Sequence, residues 1–219
     1  LGGVNGVKFT IDGRELTAPA GENLLWVALD HGIYIPHLCG IREEQRPSAG
    51  CRLCFVEAEG SSRPLSACTL PVREGMIVRT RSPAVDRLVR TAFALLLSDH
   101  RLQCAKCPKN RNCALQRIAR ERGLKLKLAS LQHLQRDFPP VDESAGVFAF
   151  DPSRCVLCGQ CVWADQQVAK VGAIGFSRRG LKRCVSTFTD MALSDSPCTK
   201  CGLCVQACPV GALYFRDGS

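Results

Sequence analysis

Two copies of one cysteine pattern constrain this chain more than any other feature. Cys155-x2-Cys158-x2-Cys161 recurs as Cys198-x2-Cys201-x2-Cys204, and Cys208-Pro209 closes the second copy. The recurrence reaches past the thiols. Cys161-Val-Trp-Ala-Asp165 aligns with Cys204-Val-Gln-Ala-Cys208, and Val171-Gly-Ala-Ile-Gly-Phe176 aligns with Val210-Gly-Ala-Leu-Tyr-Phe215. Two loop–helix–strand units predict a pseudo-twofold domain over the last 70 or so residues. The whole chain holds 15 cysteines in 219 residues, an odd count that a fully paired disulfide framework cannot absorb. Leu1-Gly2-Gly3-Val4-Asn5 shows neither a basic nor an apolar leader segment, so export is not expected and metal ligation is the better use for the thiols.

Ahead of the repeat the pattern is mixed α and β. Val7, Phe9 and Ile11 alternate with polar residues, Asp12-Gly13 supplies a two-residue turn, and Leu16 to Ala18 runs back as a hairpin partner. A helix is expected from Glu22 to His31 with Gly32 ending it, followed by strands at Leu53 to Ala58 and Met76 to Thr80. Ser82-Pro83 reads as an N-cap and first helical residue, opening a helix to about Asp99, and Ala114 to Arg122 reads as another. The basic stretch from Gly123 to Pro140 reads as a linker. The longest apolar runs, Leu24 to Leu29 and Ala92 to Leu97, fall far short of the roughly 20 residues a bilayer crossing needs.

Three ligand constellations emerge. Cys39-x11-Cys51-x2-Cys54-x13-Cys68 supplies two thiolates for each iron of a 2Fe–2S cluster, with Gly40 and Gly50 allowing close backbone approach. Spacing alone leaves zinc open for this set. His100-x3-Cys104-x2-Cys107-x5-Cys113 can ligate a 4Fe–4S cube through one imidazole and three thiolates, which removes one negative charge relative to four thiolates. His31, His37 and His133 lack such company and read as structural or exposed, with His37 beside Cys39 as a supporting group. The third constellation is the repeat, the bacterial two-cluster run in which the fourth cysteine serves the other cluster. Cys155, Cys158, Cys161 and Cys208 then form one 4Fe–4S site, and Cys198, Cys201 and Cys204 form another. The fourth ligand of the latter belongs where Asp165 stands. Asp165 is the expected ligand there; Cys184, a softer donor outside the motif, and a water-ligated or three-iron site are the alternatives.

The formal charge of +9 invites a nucleic-acid reading. Cluster cores of about +2 on thiolate ligands bring it to about +2 or +3, and no aromatic-interleaved reading motif accompanies the basic residues. Arg178-Arg179-Gly180-Leu181-Lys182-Arg183 reads as a solvated hairpin tip. Four clusters in a body about 45 Å across are near neighbours, which points to electron transfer. No dinucleotide fingerprint or hydrolytic constellation is present, so no catalytic residue is expected in this chain.

Ile35-Pro36-His37-Leu38-Cys39 and Gly50-Cys51-Arg52-Leu53-Cys54 resemble the ferredoxin-like front of respiratory complex I's largest peripheral subunit and its hydrogenase relatives. The set of one histidine and three cysteines resembles a site of the same family. The resemblance implies an α+β chain: a β-grasp 2Fe–2S ferredoxin domain (1–81), a small helical 4Fe–4S domain (82–123), a linker (124–145) and a bacterial-type two-[4Fe–4S] ferredoxin-like domain (146–219). Length and layout are similar to the small diaphorase subunit of a cytoplasmic NAD-reducing nickel–iron hydrogenase. That family implies a partner subunit binding FMN and NAD on one side and the hydrogenase small subunit on the other. The amino-terminal part of an NAD-dependent formate dehydrogenase or complex I large subunit is the alternative, and a zinc-stabilised interaction module is the alternative of a different class.

Overall fold

Asp12-Gly13 turns the chain with both residues at positive φ, 50° and 80°, the geometry a tight hairpin between right-twisted strands requires. It joins β1 (Gly6–Ile11) to β2 (Arg14–Pro19), with Phe9 and Ile11 of one and Leu16 and Ala18 of the other on the buried face. The computed structural model describes residues 6–127 and 137–216, so His133 lies outside the described residues. Two units form, residues 1–95 and 96–219.

In the first unit α1 (Leu24–Asp30) follows β2. It starts two residues later than the periodicity predicts because Asn23 caps it, its side chain accepting from the Leu25 N–H at 3.0 Å. Glu22 is instead engaged outside the helix, its carbonyl accepting from Val72 N–H at 2.8 Å. Gly32 at φ 76° ends the helix as expected. β3 (Phe55–Ala58), β4 (Leu65–Ser66) and β5 (Ile77–Arg79) complete a five-stranded sheet in the order β2-β1-β5-β3-β4. β1 and β5 pair in parallel and the other neighbours antiparallel, a β-grasp arrangement. The Asp12 carboxylate also accepts from the Thr80 N–H and hydroxyl at 2.7 and 2.6 Å, tying the hairpin turn to the end of β5. Phe9, Ile11, Leu24, Leu25, Ile35 and Val78 fill the core, which also takes in Cys54 and Cys68.

The unit division falls within α2 (Pro83–Ser98), capped by Ser82, whose hydroxyl accepts from Val85 N–H at 3.2 Å. α3 (Ala114–Arg122) has the predicted bounds and ends on Gly123 in the left-handed region, with Leu124 N–H reaching back to the Ala119 carbonyl at 2.8 Å. The rest of the second unit consists of short pieces. β6 (Phe148–Phe150), α4 (Gln160–Trp163), β7 (Ile174–Ser177), β8 (Cys184–Thr187), α5 (Leu203–Ala207) and β9 (Leu213–Phe215) form two antiparallel pairs, β6 with β9 and β7 with β8. The internal repeat is visible in the backbone. Leu157 and Lys200 take φ of 54° and 58°, and Gly159 and Gly202, at 82° and 75°, open α4 and α5. Phe176 and Phe215 lie against those two glycines, so a Cβ at Gly202 would come within 2.9 Å of the Phe215 ring. The copies differ at one place: α4 runs on into a π turn, Ala164–Val168, where the second copy leaves the helix at Cys208.

Among the described residues no helix is long and apolar enough to cross a membrane. The basic stretch 178–183 forms the end of the β7–β8 hairpin; Arg178 pairs with Asp190 at 2.7 Å and Arg183 stacks on Phe176.

Candidate metal centres

Cys39, Cys51, Cys54 and Cys68 sit at the edge of the first unit's core, all 8% exposed or less. Buried Ile35 and Leu38 lead into Cys39, Cys51 and Cys54 precede β3, and Cys68 rides a 3-10 turn, Ala67–Thr69, after β4. That turn is pinned to the start of α1: Asn23 Nδ2 donates to the Cys68 carbonyl and Leu24 N–H to Leu70 O at 2.9 Å. The thiols gather in two proton-sharing pairs. The hydrogen bond from Cys51 holds the Cys39 thiol below its ordinary value, while that pairing and burial push Cys51 far up. Cys68 is lowered by Cys54 in the same way, and Cys54 is raised. The Cys51 N–H points at Cys39 Sγ, 3.4 Å away. Gly40 is a close approach, since an added Cβ would meet Leu25 and Trp26 at 3.2 and 3.3 Å; at Gly50 the nearest atom is Ser48 Oγ at 3.7 Å, an ordinary contact. His37 bonds the Ile35 carbonyl at 2.9 Å and meets the Trp26 ring edge-on, and His31 bonds the Val27 carbonyl at 2.8 Å.

In the second unit His100 follows α2 and is 8% exposed, and Cys113 caps α3. Cys113 is raised by burial and, further down, by Cys107 and Cys104, which places the three sulfurs in one electrostatic neighbourhood. Burial pushes the His100 pKa down, against the pull of the Arg154 carbonyl on Nδ1 at 3.0 Å, so the ring is neutral and able to ligate. Gly211 lets this site approach: a Cβ there would run into Cys107 Sγ.

The repeat brings Cys155, Cys158, Cys161 and Cys208 around one small cavity. Cys155 is pushed up to about 12 by burial and then by Cys208 and Cys184, and burial likewise pushes Cys161 well up. Cys204 is also pushed up to about 12, by burial, then Cys198 and Cys201, and more weakly Asp165. Asp165, 8% exposed, is carried by the π turn and shares a cavity of about 600 Å³ with Cys198, Cys204 and Cys184. Its Oδ2 accepts from Ile174 N–H at 3.2 Å, and in the other copy Cys208 Sγ accepts from Leu213 N–H at 3.5 Å. Ile174 and Leu213 are matched positions of the repeat, so the carboxylate occupies the sulfur's place. Cys184 Sγ lies 3.1 Å from Ser177 Oγ, which accepts from Ser186 at 2.8 Å.

These sites suit a negatively charged cluster. Burial raises Cys113, Cys155, Cys161 and Cys204, so a bound cation would favour their thiolate forms, and backbone N–H groups already aim at several of the sulfurs. Leu157 to Cys155 and Lys200 to Cys198 are both 3.4 Å, a matched pair from the two copies. Among the described residues no three His, Cys, Asp or Glu side chains crowd closely enough to hold a single metal ion. The N–H donors, the π turn and the Arg154 carbonyl carry no motif; Asp151-Pro152-Ser153 is a capping signature that signals the turn holding that carbonyl.

Three known families match successive parts of the chain. Residues 5–83 match a family described as a 2Fe-2S iron-sulfur cluster binding domain. Residues 90–126 match the NADH-ubiquinone oxidoreductase-G iron-sulfur binding region, and 147–214 the ferredoxin-like domain of NADH-quinone oxidoreductase subunit 3. The NADP-reducing hydrogenase subunit HndD of Solidesulfovibrio fructosivorans is 35% identical over 96% of this chain and 36% of its own length. The mitochondrial NADH-ubiquinone oxidoreductase 78 kDa subunit of Neurospora crassa is 30% identical over 96% of this chain and 28% of its own. The chain thus spans about a third of the length of these curated relatives. A chain in the crystal structure of an NAD+-reducing [NiFe]-hydrogenase in the H2-reduced state superimposes with a TM-score of 0.83, at 31% identity, over 97% of this chain and 88% of that one. This chain, with its 2Fe–2S and 4Fe–4S binding domains, belongs to the iron–sulfur electron-transfer family shared by NAD(P)-reducing hydrogenases and the NADH-quinone oxidoreductases.

Proposed function

We propose that this chain relays electrons between a nickel–iron hydrogenase module and a diaphorase subunit carrying FMN and NAD(H), within H2 + NAD+ = NADH + H+, in the cytoplasm. The observation that carries the reading is the match to nearly the whole of a chain from an NAD+-reducing [NiFe]-hydrogenase. The assembly holds one 2Fe–2S and three 4Fe–4S clusters on the four ligand sets, with Asp165 completing the last. The domains run 1–81, 82–123 and 146–219, with 124–145 as linker. Bound there, iron–sulfur clusters supply one-electron donors and acceptors. The chain's own residues hold them by thiolate and imidazole and offset their charge with aimed N–H groups, and burial keeps water from Cys39, Cys51, Cys54, Cys68, Cys161 and Cys208. The partners are the FMN- and NAD-binding subunit and the hydrogenase small subunit. A second reading, the front of a formate dehydrogenase or complex I large subunit, is favoured by the partial coverage of the curated relatives. Purification from native cells with metal and flavin analysis separates them. Nickel plus FMN with a chain of about this mass is expected; molybdenum, or a much heavier chain, supports the second reading, and zinc in place of about 14 iron rejects both.

Loading depends on pH with a definite sign. Cys155 and Cys204 have pKa values raised to about 12 in the cluster-free protein, so they are thiols at neutral pH and release protons on ligation. Affinity therefore rises with pH below that range. Cys39 and Cys68, already lowered, make the first site's slope shallower. Iron–sulfur reconstitution between pH 6 and 9, followed by proton release, checks this; a flat profile for the 4Fe–4S sites contradicts it.

A further inference from the structure

Asp151 is a buried carboxylate, 6% exposed, that none of the ligand sets uses. Its side chain organises the turn between β6 and Cys155. Oδ1 accepts from the Ser153 N–H at 3.0 Å and from the Ser153 hydroxyl, and Oδ2 forms an ion pair with Arg154 Nε at 3.0 Å. The Asp151 N–H anchors the turn by donating to the Ala212 carbonyl at 2.7 Å. Within it, Arg154 N–H reaches the Asp151 carbonyl at 3.2 Å and Cys155 N–H the Pro152 carbonyl at 3.1 Å. Two carbonyls of the same turn grip the chain more than fifty residues away. Ser153 O accepts from Arg101 N–H at 2.8 Å, and Arg154 O lies 3.0 Å from His100 Nδ1.

A carbonyl can only accept, so His100 carries its proton on Nδ1 and presents the Nε2 lone pair for ligation. We propose that Asp151 is a positioning residue for the His100 iron site, acting through the Arg154 carbonyl to hold the imidazole in the tautomer and orientation that ligate. The inference rests on His100 being a cluster ligand. The same turn leads directly into Cys155, and a second hydrogen bond, Ala114 N–H to Pro209 O at 2.9 Å, joins the segments following Cys113 and Cys208. Asp151 thereby sets the backbone link between Arg101 and Ser153, beside the one between Ala114 and Pro209.

Asp, not merely a polar residue, suits the place. Asn keeps an oxygen for Ser153 but leaves Arg154, 13% exposed at its side chain, without its counter-charge. The test is a double-mutant cycle on the full-length, iron-loaded protein: Asp151→Ala and Asp151→Asn, each alone and with His100→Cys, read by EPR lineshape, redox titration and iron content. Asp151→Ala is expected to change the His100-dependent signal and shift its reduction equilibrium about tenfold, about 59 mV for one electron. Asp151→Asn is expected to shift it less, and neither is expected to shift it in the His100→Cys background. Equal shifts in both backgrounds, or none in either, overturn the proposal. If Asp151→Ala does not load iron, the Asp151→Asn cycle decides by the same criterion. If His100→Cys alone leaves every signal unchanged, the ligand reading falls first, and this inference with it.

Discussion

Asp165→Ala is expected to convert the site of Cys198, Cys201 and Cys204 to a three-iron form, lowering iron by about one of about 14 per chain. Cys184→Ala is expected to leave that site's EPR signal and iron count unchanged. The reason is the match between the two copies of the repeat. Asp165 stands four residues after Cys161 as Cys208 stands four after Cys204, and each accepts from a matched backbone N–H, Ile174 and Leu213. A carboxylate has a second oxygen to offer, and the electrostatic influence of Asp165 reaches Cys204, whereas that of Cys184 reaches Cys155. Oxygen is the harder donor, so Asp165→Cys is expected to slow loss of that iron to a chelator by about tenfold or more. An Asp165→Ala protein with an unaltered signal, together with a Cys184→Ala protein lacking it, would reverse the assignment.

Removing the clusters is expected to unfold the second unit's ferredoxin-like part while leaving the first unit's sheet in place. β1, β2 and β5 enclose Phe9, Ile11, Leu16 and Val78, and only Cys54 and Cys68 of the first ligand set belong to that core. The apolar core supplies most of the folding free energy there, at about 1.5–3 kcal/mol for each large buried side chain. Residues 148–215 have no comparable scaffold. Their sheets are pairs of strands three or four residues long, and α4 and α5 are four and five residues. Isolated elements of that size are marginal in water, so on the proposed ligand sets their cohesion is expected to come from ligation. Hydrogen exchange on chelator-treated protein checks this. Protection is expected to persist over 7–11, 14–18 and 77–79 and to fall at least about a thousandfold over 174–177, 184–187 and 213–215, about 4 kcal/mol. Uniform loss in both units, or uniform retention, contradicts it.

Much of the site was legible because ligand spacing along a loop is a local property. Cys-x2-Cys-x2-Cys appears as the same left-handed pair of backbone positions in both copies, and the Asp12-Gly13 turn and the Ala114–Arg122 helix follow from residue types a few positions apart. Boundaries moved where a distant segment competed. Glu22 and Asn23 were taken by the segment 68–72 that follows β4, so α1 begins at Leu24 rather than Glu22. Phe55, not Leu53, opens β3 because the two residues before it belong to the cysteine loop, in which Arg52 takes φ 54°.

By itself the sequence determined the number and grouping of candidate ligands, the lack of a long apolar run, and the α+β class, since each depends on composition or short-range periodicity. Only the tertiary structure decided which groups answer one another across the fold. The Asp165 carboxylate takes the hydrogen bond of a missing thiolate because a π turn absorbs four extra residues before Ile174. His100 finds its acceptor 54 residues away, in a turn that Asp151 builds. Such contacts are set by how separate segments pack, and hydrogen-bond partners at that separation leave no period in the chain.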